Sequence, residues 1–124
     1  MTKRILIIDD DEQIRVLLQQ MMEWAGYEVH VAENGKIGMQ KQSDFPADLV
    51  ITDLIMPEQE GLETISWLKK EYEGIKIIAI SGGGRIGPEA YLPAALELGA
   101  DMVFSKPFDV GEIVSSVGQL LDNG

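Results

Sequence analysis

Cysteine is absent from the 124 residues, and histidine occurs once, at His30. No disulfide, thiolate metal site or thiol nucleophile can exist in this chain. His30 lies in an apolar-alternating stretch and reads as an exposed strand residue, so histidine catalysis is not expected. Basic residues are scarce: 10 Lys and Arg stand against 21 Asp and Glu, a net charge of −11. That balance argues against direct nucleic-acid binding. Long apolar runs are also missing. Met1-Thr2-Lys3-Arg4 leads into only four apolar residues before Asp9, too few for a signal peptide or a membrane span. A cytoplasmic setting is expected, with proteins or cations as partners. The length suits a single domain, 1–124, with a core large enough to need no staples. No repeat, linker or low-complexity stretch is evident, and no output domain is expected after the last helix.

Apolar runs alternate with helix-like stretches. Candidate strands are 4–9 (RILIID), 28–32 (EVHVA), 48–53 (DLVITD), 76–81 (KIIAIS) and 101–105 (DMVFS). Ile14, Leu17, Leu18, Met21 and Met22 recur at helical spacing and predict one buried face, ending before Gly26. Leu62, Ile65 and Leu68 predict a second, and Val110, Ile113, Val114, Val117, Leu120 and Leu121 a third. A helix over 35–43 is weaker, because Gly38 costs about 1 kcal/mol relative to Ala. A short helix over 90–98 accommodates Pro93 in its first turn and stops at Gly99. Met21, Met22, Met39 and Met102 read as core filler. Strands of near-continuous Ile, Val and Leu between helices predict a parallel sheet covered on both faces. Right-handed crossovers leave few topologies. The expected fold is α/β, a flavodoxin-like doubly wound (βα)5 sheet with strand order 2-1-3-4-5, which binds ligands at the carboxyl ends of the strands.

Four consecutive acids, Asp9, Asp10, Asp11 and Glu12, end the first strand. Like charges about 4 Å apart repel by roughly 4 kcal/mol at an effective dielectric of 20. Asp11 and Glu12 can be explained as a helix cap and first turn; Asp9 and Asp10 cannot. Strand 3 ends in Asp53, strand 4 in Ser81, and strand 5 in Ser105 followed by Lys106. In the expected order these residues converge on one crevice. All-oxygen ligands without Cys or His select a hard ion, Mg2+ before Ca²⁺. An aspartate there can accept a phosphoryl group as nucleophile, with metal and lysine neutralising the transferred oxygens. Ser81 could donate a hydrogen bond to the new phosphate.

"DD" after strand 1, "DLIMP" (53–57), "IIAIS" (77–81), "LGAD" (98–101) and "KPF" (106–108) stand in the order and at nearly the spacing of one family. The chain resembles, over essentially its whole length, the receiver domains of two-component response regulators. The resemblance implies the same strand order. It implies that Asp53 is the phosphorylated residue, with Asp10 binding Mg2+ directly, Asp9 mostly through water, and the Ile55 carbonyl as a further ligand. Ser81 and Lys106 would hold the phosphate, and Lys106–Pro107 would be cis. The phosphodonor would be a sensor histidine kinase or phosphotransfer protein. A downstream protein target would bind the face of helix 4, strand 5 and helix 5. Catalysis would be limited to the chain's own phosphoryl transfer and autodephosphorylation.

Two departures from the family pattern stand out. "SGGGRIGPEAYLP" (81–93) carries three consecutive glycines, and the stretch from Ser81 to Gly99 is about three residues longer than usual; it reads as a plain loop, as close backbone approach to the phosphate, or as a hinge that reorganises on phosphorylation. Three residues before Lys106, where the family usually has an aromatic, stands Val103; Phe104 beside it should point to the opposite face. Two other readings compete. One is a small-molecule phosphatase or phosphotransferase working through Asp53. The other is a flavin- or nucleotide-binding module, disfavoured by an acidic first turn where a phosphate would need glycines and N–H groups.

Overall fold

The computed structural model describes residues 2–54, 61–81 and 92–122. Five strand–helix units follow one another: β1 Arg4–Ile8, α1 Glu12–Trp24, β2 Glu28–Ala32, α2 Gly35–Asp44, β3 Leu49–Asp53, α3 Gly61–Glu71, β4 Lys76–Ser81, α4 Leu92–Leu98, β5 Met102–Ser105 and α5 Val110–Asp122. All pairings are parallel, in the order β2-β1-β3-β4-β5. The expected order is the observed one.

Strand alternation divides the core into two layers. Leu6, Ile8, Val50, Ile77 and Ala79 point to one face of the sheet, where Ile65 and Leu68 of α3 and Ala95 of α4 cover them. Ile5, Ile7, Leu49, Ile51, Ile78 and Ile80 point to the other, under Leu18 and Met22 of α1 and Ile113, Val117 and Leu121 of α5. Because the central strands are buried on both faces, their sequences read as continuous apolar runs rather than alternating ones. Each such side chain contributes roughly 1.5–3 kcal/mol by leaving water.

Local signals set the helix ends. The Asp11 carboxylate accepts from the backbone N–H of Gln13 and Ile14, capping α1. Gly26, at φ +101°, turns the chain out of that helix, a conformation in which a Cβ would be strained. Asn34 caps α2 through the Ile37 N–H at 2.8 Å. Pro93 is the second residue of α4, where its missing N–H breaks no intrahelical bond. The expected start of that helix at Ala90 lies outside the described residues.

Several expectations need correction. The helical spacing places Leu17 on the buried face of α1, yet it is 41% exposed; Leu18 and Met22 carry the burial, with Ile14 and Met21 partly covered. The sheet covers a narrower arc of the helix than the apolar residues span. His30 is half-buried rather than exposed: its ring stacks on Phe45, and Nε2 lies 3.0 Å from Glu28 Oε2. Gly38, besides its cost in helix propensity, is a contact point of α2, because a Cβ there would run into the Ile8 side chain, 2.8 Å from Cγ1.

Candidate phosphoryl-acceptor and metal site

The parallel register places the carboxyl ends of β1, β3, β4 and β5 side by side, and the predicted residues sit there. Asp9 follows the last residue of β1, and its N–H donates to the Ala32 carbonyl at 3.1 Å, so the strand pairing extends to it. Asp53 ends β3 and Ser81 ends β4; all three side chains are buried. Asp10, next to Asp9, is exposed. One carboxylate oxygen each from Asp9, Asp10 and Asp53 lie within 4.8 Å of one another.

Lys106 enters this group from beyond β5. Its backbone N–H donates to the Ser81 carbonyl at 2.8 Å, and the Lys106–Pro107 peptide is cis. The ammonium Nζ lies 3.2 Å from Asp9 Oδ2 and 3.3 Å from Asp53 Oδ2. Burial works against the lysine's charge, but the Asp53 and Asp9 carboxylates outweigh it, and its pKa is raised. Asp9 answers differently. Burial pushes its carboxyl above the usual range, and the Asp11 N–H and the Lys106 charge lower it only in part. Asp9 Oδ1 accepts from the Asp11 N–H at 2.9 Å. Asp9 Oδ2, although paired in charge with Lys106, takes no well-directed hydrogen bond among the described residues, and neither does Ser81 Oγ.

These observations test whether a metal fits. Three oxygen ligands converge, one buried carboxylate oxygen lacks a directed donor, and one lysine faces two buried acids. The donor set is hard and anionic, as Mg2+ requires. Asp9, Asp10 and Asp53 are therefore able to hold such an ion. The predicted ligand Ile55 lies outside the described residues, as does the stretch Gly82–Gly84.

The strand ends thus join a carboxylate, a lysine beside it, a buried hydroxyl on the neighbouring strand and a cation-ready acid cluster. A family model described as the response regulator receiver domain matches residues 5–118. The chain belongs to the response regulator receiver domain family. The chemotaxis protein CheY of Thermotoga maritima is 33% identical, over 97% of this chain and 98% of that protein. A probable transcriptional regulatory protein of Picosynechococcus is 34% identical over 95% of this chain; the chain spans about half of its length, 49%. The crystal structure of a CheY-like receiver domain from Methanospirillum hungatei superposes with a TM-score of 0.90 at 30% identity, covering 99% of this chain and 96% of that one. Receiver domains are phosphorylatable switches of two-component signalling, not enzymes in the ordinary sense, and this chain is one of them. The family binds Mg2+ in an acidic pocket. It also interacts with histidine kinases or phosphotransfer proteins and with downstream targets. Among the described residues, no helix is long and apolar enough to cross a membrane.

Arg15 escaped the sequence reading. From α1 its Nη1 donates to the Asp9 carbonyl at 2.9 Å, tying the helix to the acidic loop. It stands six residues after Asp9. That spacing was visible, but only the turn at Asp10–Asp11 brings the guanidinium back over the strand end.

Proposed function

We propose that Asp53 is the phosphoacceptor of this receiver domain. The observation that carries the reading is the Lys106 ammonium lying between buried Asp9 and Asp53, 3.2 and 3.3 Å from their oxygens. An Asp53 carboxylate oxygen attacks the phosphorus of a phosphohistidine on a kinase or phosphotransfer partner. The P–N bond breaks, its electron pair returns to the imidazole, which takes up a proton, and an acyl phosphate forms. Lys106 then moves its charge from the carboxylate to the phosphoryl oxygens, and the Ser81 hydroxyl donates to one of them. Asp9, Asp10 and Asp53, with the Ile55 carbonyl as a further ligand, would hold Mg2+, which would supply neutralisation of the charge on the transferred group. Water attack on phosphorus breaks the bond to the Asp53 oxygen, releasing inorganic phosphate and the free carboxylate as autodephosphorylation.

The rest of the reading follows from the same roles. Residues 1–124 act as one receiver domain in the cytoplasm. The surface of α4, β5 and α5 meets the downstream protein, and the net charge of −11 disfavours nucleic acid as a direct ligand. No observation favours a small-molecule phosphatase.

Intact mass after acetyl phosphate treatment tests the assignment. With Mg2+ the protein should gain one phosphoryl group; with excess EDTA, or as Asp53→Asn, it should gain none. An equal gain in the mutant would move the acceptor elsewhere.

A further inference from the structure

The Asp53–Leu54 peptide and the carbonyl that follows it are held at three points. The Asp53 carbonyl accepts from Thr52 Oγ1 at 3.0 Å. The Leu54 N–H donates to the Ile80 carbonyl at 2.9 Å, and the Leu54 carbonyl accepts from the Gly61 N–H at 3.1 Å. Gly61, the first residue of α3, closes on this peptide more tightly than any side chain allows. A Cβ there would overlap the Asp53 carbonyl oxygen and lie 2.5 Å from the Leu54 Cα. Both obstacles are backbone, so no rotamer change relieves them.

Neither side can retreat. Leu54 is buried to 2% exposure, and Ile65 and Leu68 anchor α3 in the same apolar layer. Thr52 is wholly buried, which excludes water as a substitute for its hydroxyl. Any atom added at Gly61 must therefore be accommodated by moving the Asp53–Leu54 peptide or the start of the helix. The peptide carries the Cα of Asp53, and hence the direction of its carboxylate. A displacement of about 1 Å at a reacting group can cost roughly 10²-fold in rate.

We propose that Gly61 and Thr52 are positioning residues that hold the Asp53–Leu54 peptide, and through it aim the Asp53 carboxylate at Lys106 and the cation. Gly61 acts by having no side chain; Thr52 acts by its hydroxyl. This rests on the reading of Asp53 as acceptor and ligand.

The test compares Gly61→Ala and Thr52→Val with wild type and with Ile65→Val. The last variant loosens α3 without adding an atom near Asp53. Calorimetric Mg2+ titration of the unphosphorylated protein reads the site without any reaction. Phosphoryl uptake from acetyl phosphate at saturating Mg2+ reads the aim of the carboxylate, and melting in EDTA reads stability. Gly61→Ala should slow uptake about tenfold or more and weaken Mg2+ binding. Thr52→Val should change both in the same direction by about fivefold, the worth of one hydrogen bond. Ile65→Val should lower the melting temperature and leave both readouts as in wild type. If Gly61→Ala does not accumulate as folded protein, Thr52→Val decides; unchanged Mg2+ affinity and uptake in the folded variants overturns the proposal. So does equal loss in Ile65→Val, which would make the effect one of general stability. If wild type itself takes up no phosphoryl group, the acceptor reading fails, and the Mg2+ affinities alone judge the clamp.

Discussion

The Lys106 ammonium lies 3.2 Å from Asp9 Oδ2, and that carboxylate is almost wholly buried while the lysine side chain is 22% exposed. The pair therefore has one partner out of water and one at its edge. With Asp53 Oδ2 at 3.3 Å from the same nitrogen, a single cation is shared between two buried acids.

Removing that cation should destabilise the protein in the absence of metal. Breaking a fully buried pair costs 3–5 kcal/mol, and partial exposure screens this one. Lys106→Met, which keeps the apolar stem, is expected to lose about 1–2 kcal/mol in urea melts with EDTA. Saturating Mg2+ should narrow the difference, because a bound ion restores positive charge beside Asp9 and Asp53. A variant as stable as wild type in EDTA would mean that the lysine contributes nothing to holding the acids together.

Asp10→Ala should do the opposite. Its carboxylate is the exposed member of the three that approach within 4.8 Å, so deleting it relieves repulsion in the metal-free protein and removes a ligand from the loaded one. The melting temperature in EDTA should rise and the Mg2+-induced increase should shrink. A metal-free variant that melts below wild type counts against the cluster as a cation site.

At Gly38 two principles give opposite signs. Helix propensity favours Ala by about 1 kcal/mol, but the added Cβ meets the buried Ile8 side chain, 2.8 Å from Cγ1. Overpacking of this kind typically costs 1–3 kcal/mol, so Gly38→Ala should be destabilised by about 1 kcal/mol. Paired with Ile8→Val, which removes the conflicting methyl, the substitution should cost less than it does alone. A Gly38→Ala protein that melts higher than wild type would leave propensity as the deciding effect.

Glu28 offers a pH test remote from the site. Hydrogen bonds from Arg4 and then His30 hold its carboxyl below the ordinary value of 4.5. A depressed carboxylate contributes stability above its unfolded pKa and loses it as pH falls through the folded one. Wild type should thus exceed Glu28→Gln slightly at neutral pH, and the gap should close below about pH 4.5. A constant gap across that range would assign the difference to something other than the charge.

Phosphorylation should leave Phe104 largely undisturbed. Val103 packs with the layer beneath α3 and α4, whereas Phe104 packs with the layer beneath α1 and α5. The ring therefore faces away from the position where the family usually carries its aromatic. On treatment with acetyl phosphate or beryllofluoride, amide exchange should change more across Gly82–Leu92, which follows Ser81, than around Phe104. A strong response at Phe104 with none in Gly82–Leu92 would defeat the glycine-hinge reading.

Much of this molecule was legible in one dimension. Strands buried on both faces are apolar at nearly every position, so β1, β3 and β4 announced themselves, and Asp9, Asp53 and Ser81 at their carboxyl ends marked one edge of a parallel sheet. Caps act over three residues, so Asp11 was readable as the start of α1. Other features depend on distances no spacing encodes. Asp9 and Asp10 are chemically the same and adjacent, yet the pairing of Asp9 with Ala32 draws one inside and leaves the other in water. Leu17 obeys the helical period, but the width of the sheet, not the period, sets where burial stops. Gly38 and Gly61 looked like helix weaknesses or nothing at all; each is a place where two elements touch too closely for a Cβ. Propensity and periodicity are sums over neighbours in the chain, whereas contact between elements is settled only when the whole sheet and its helices are packed together.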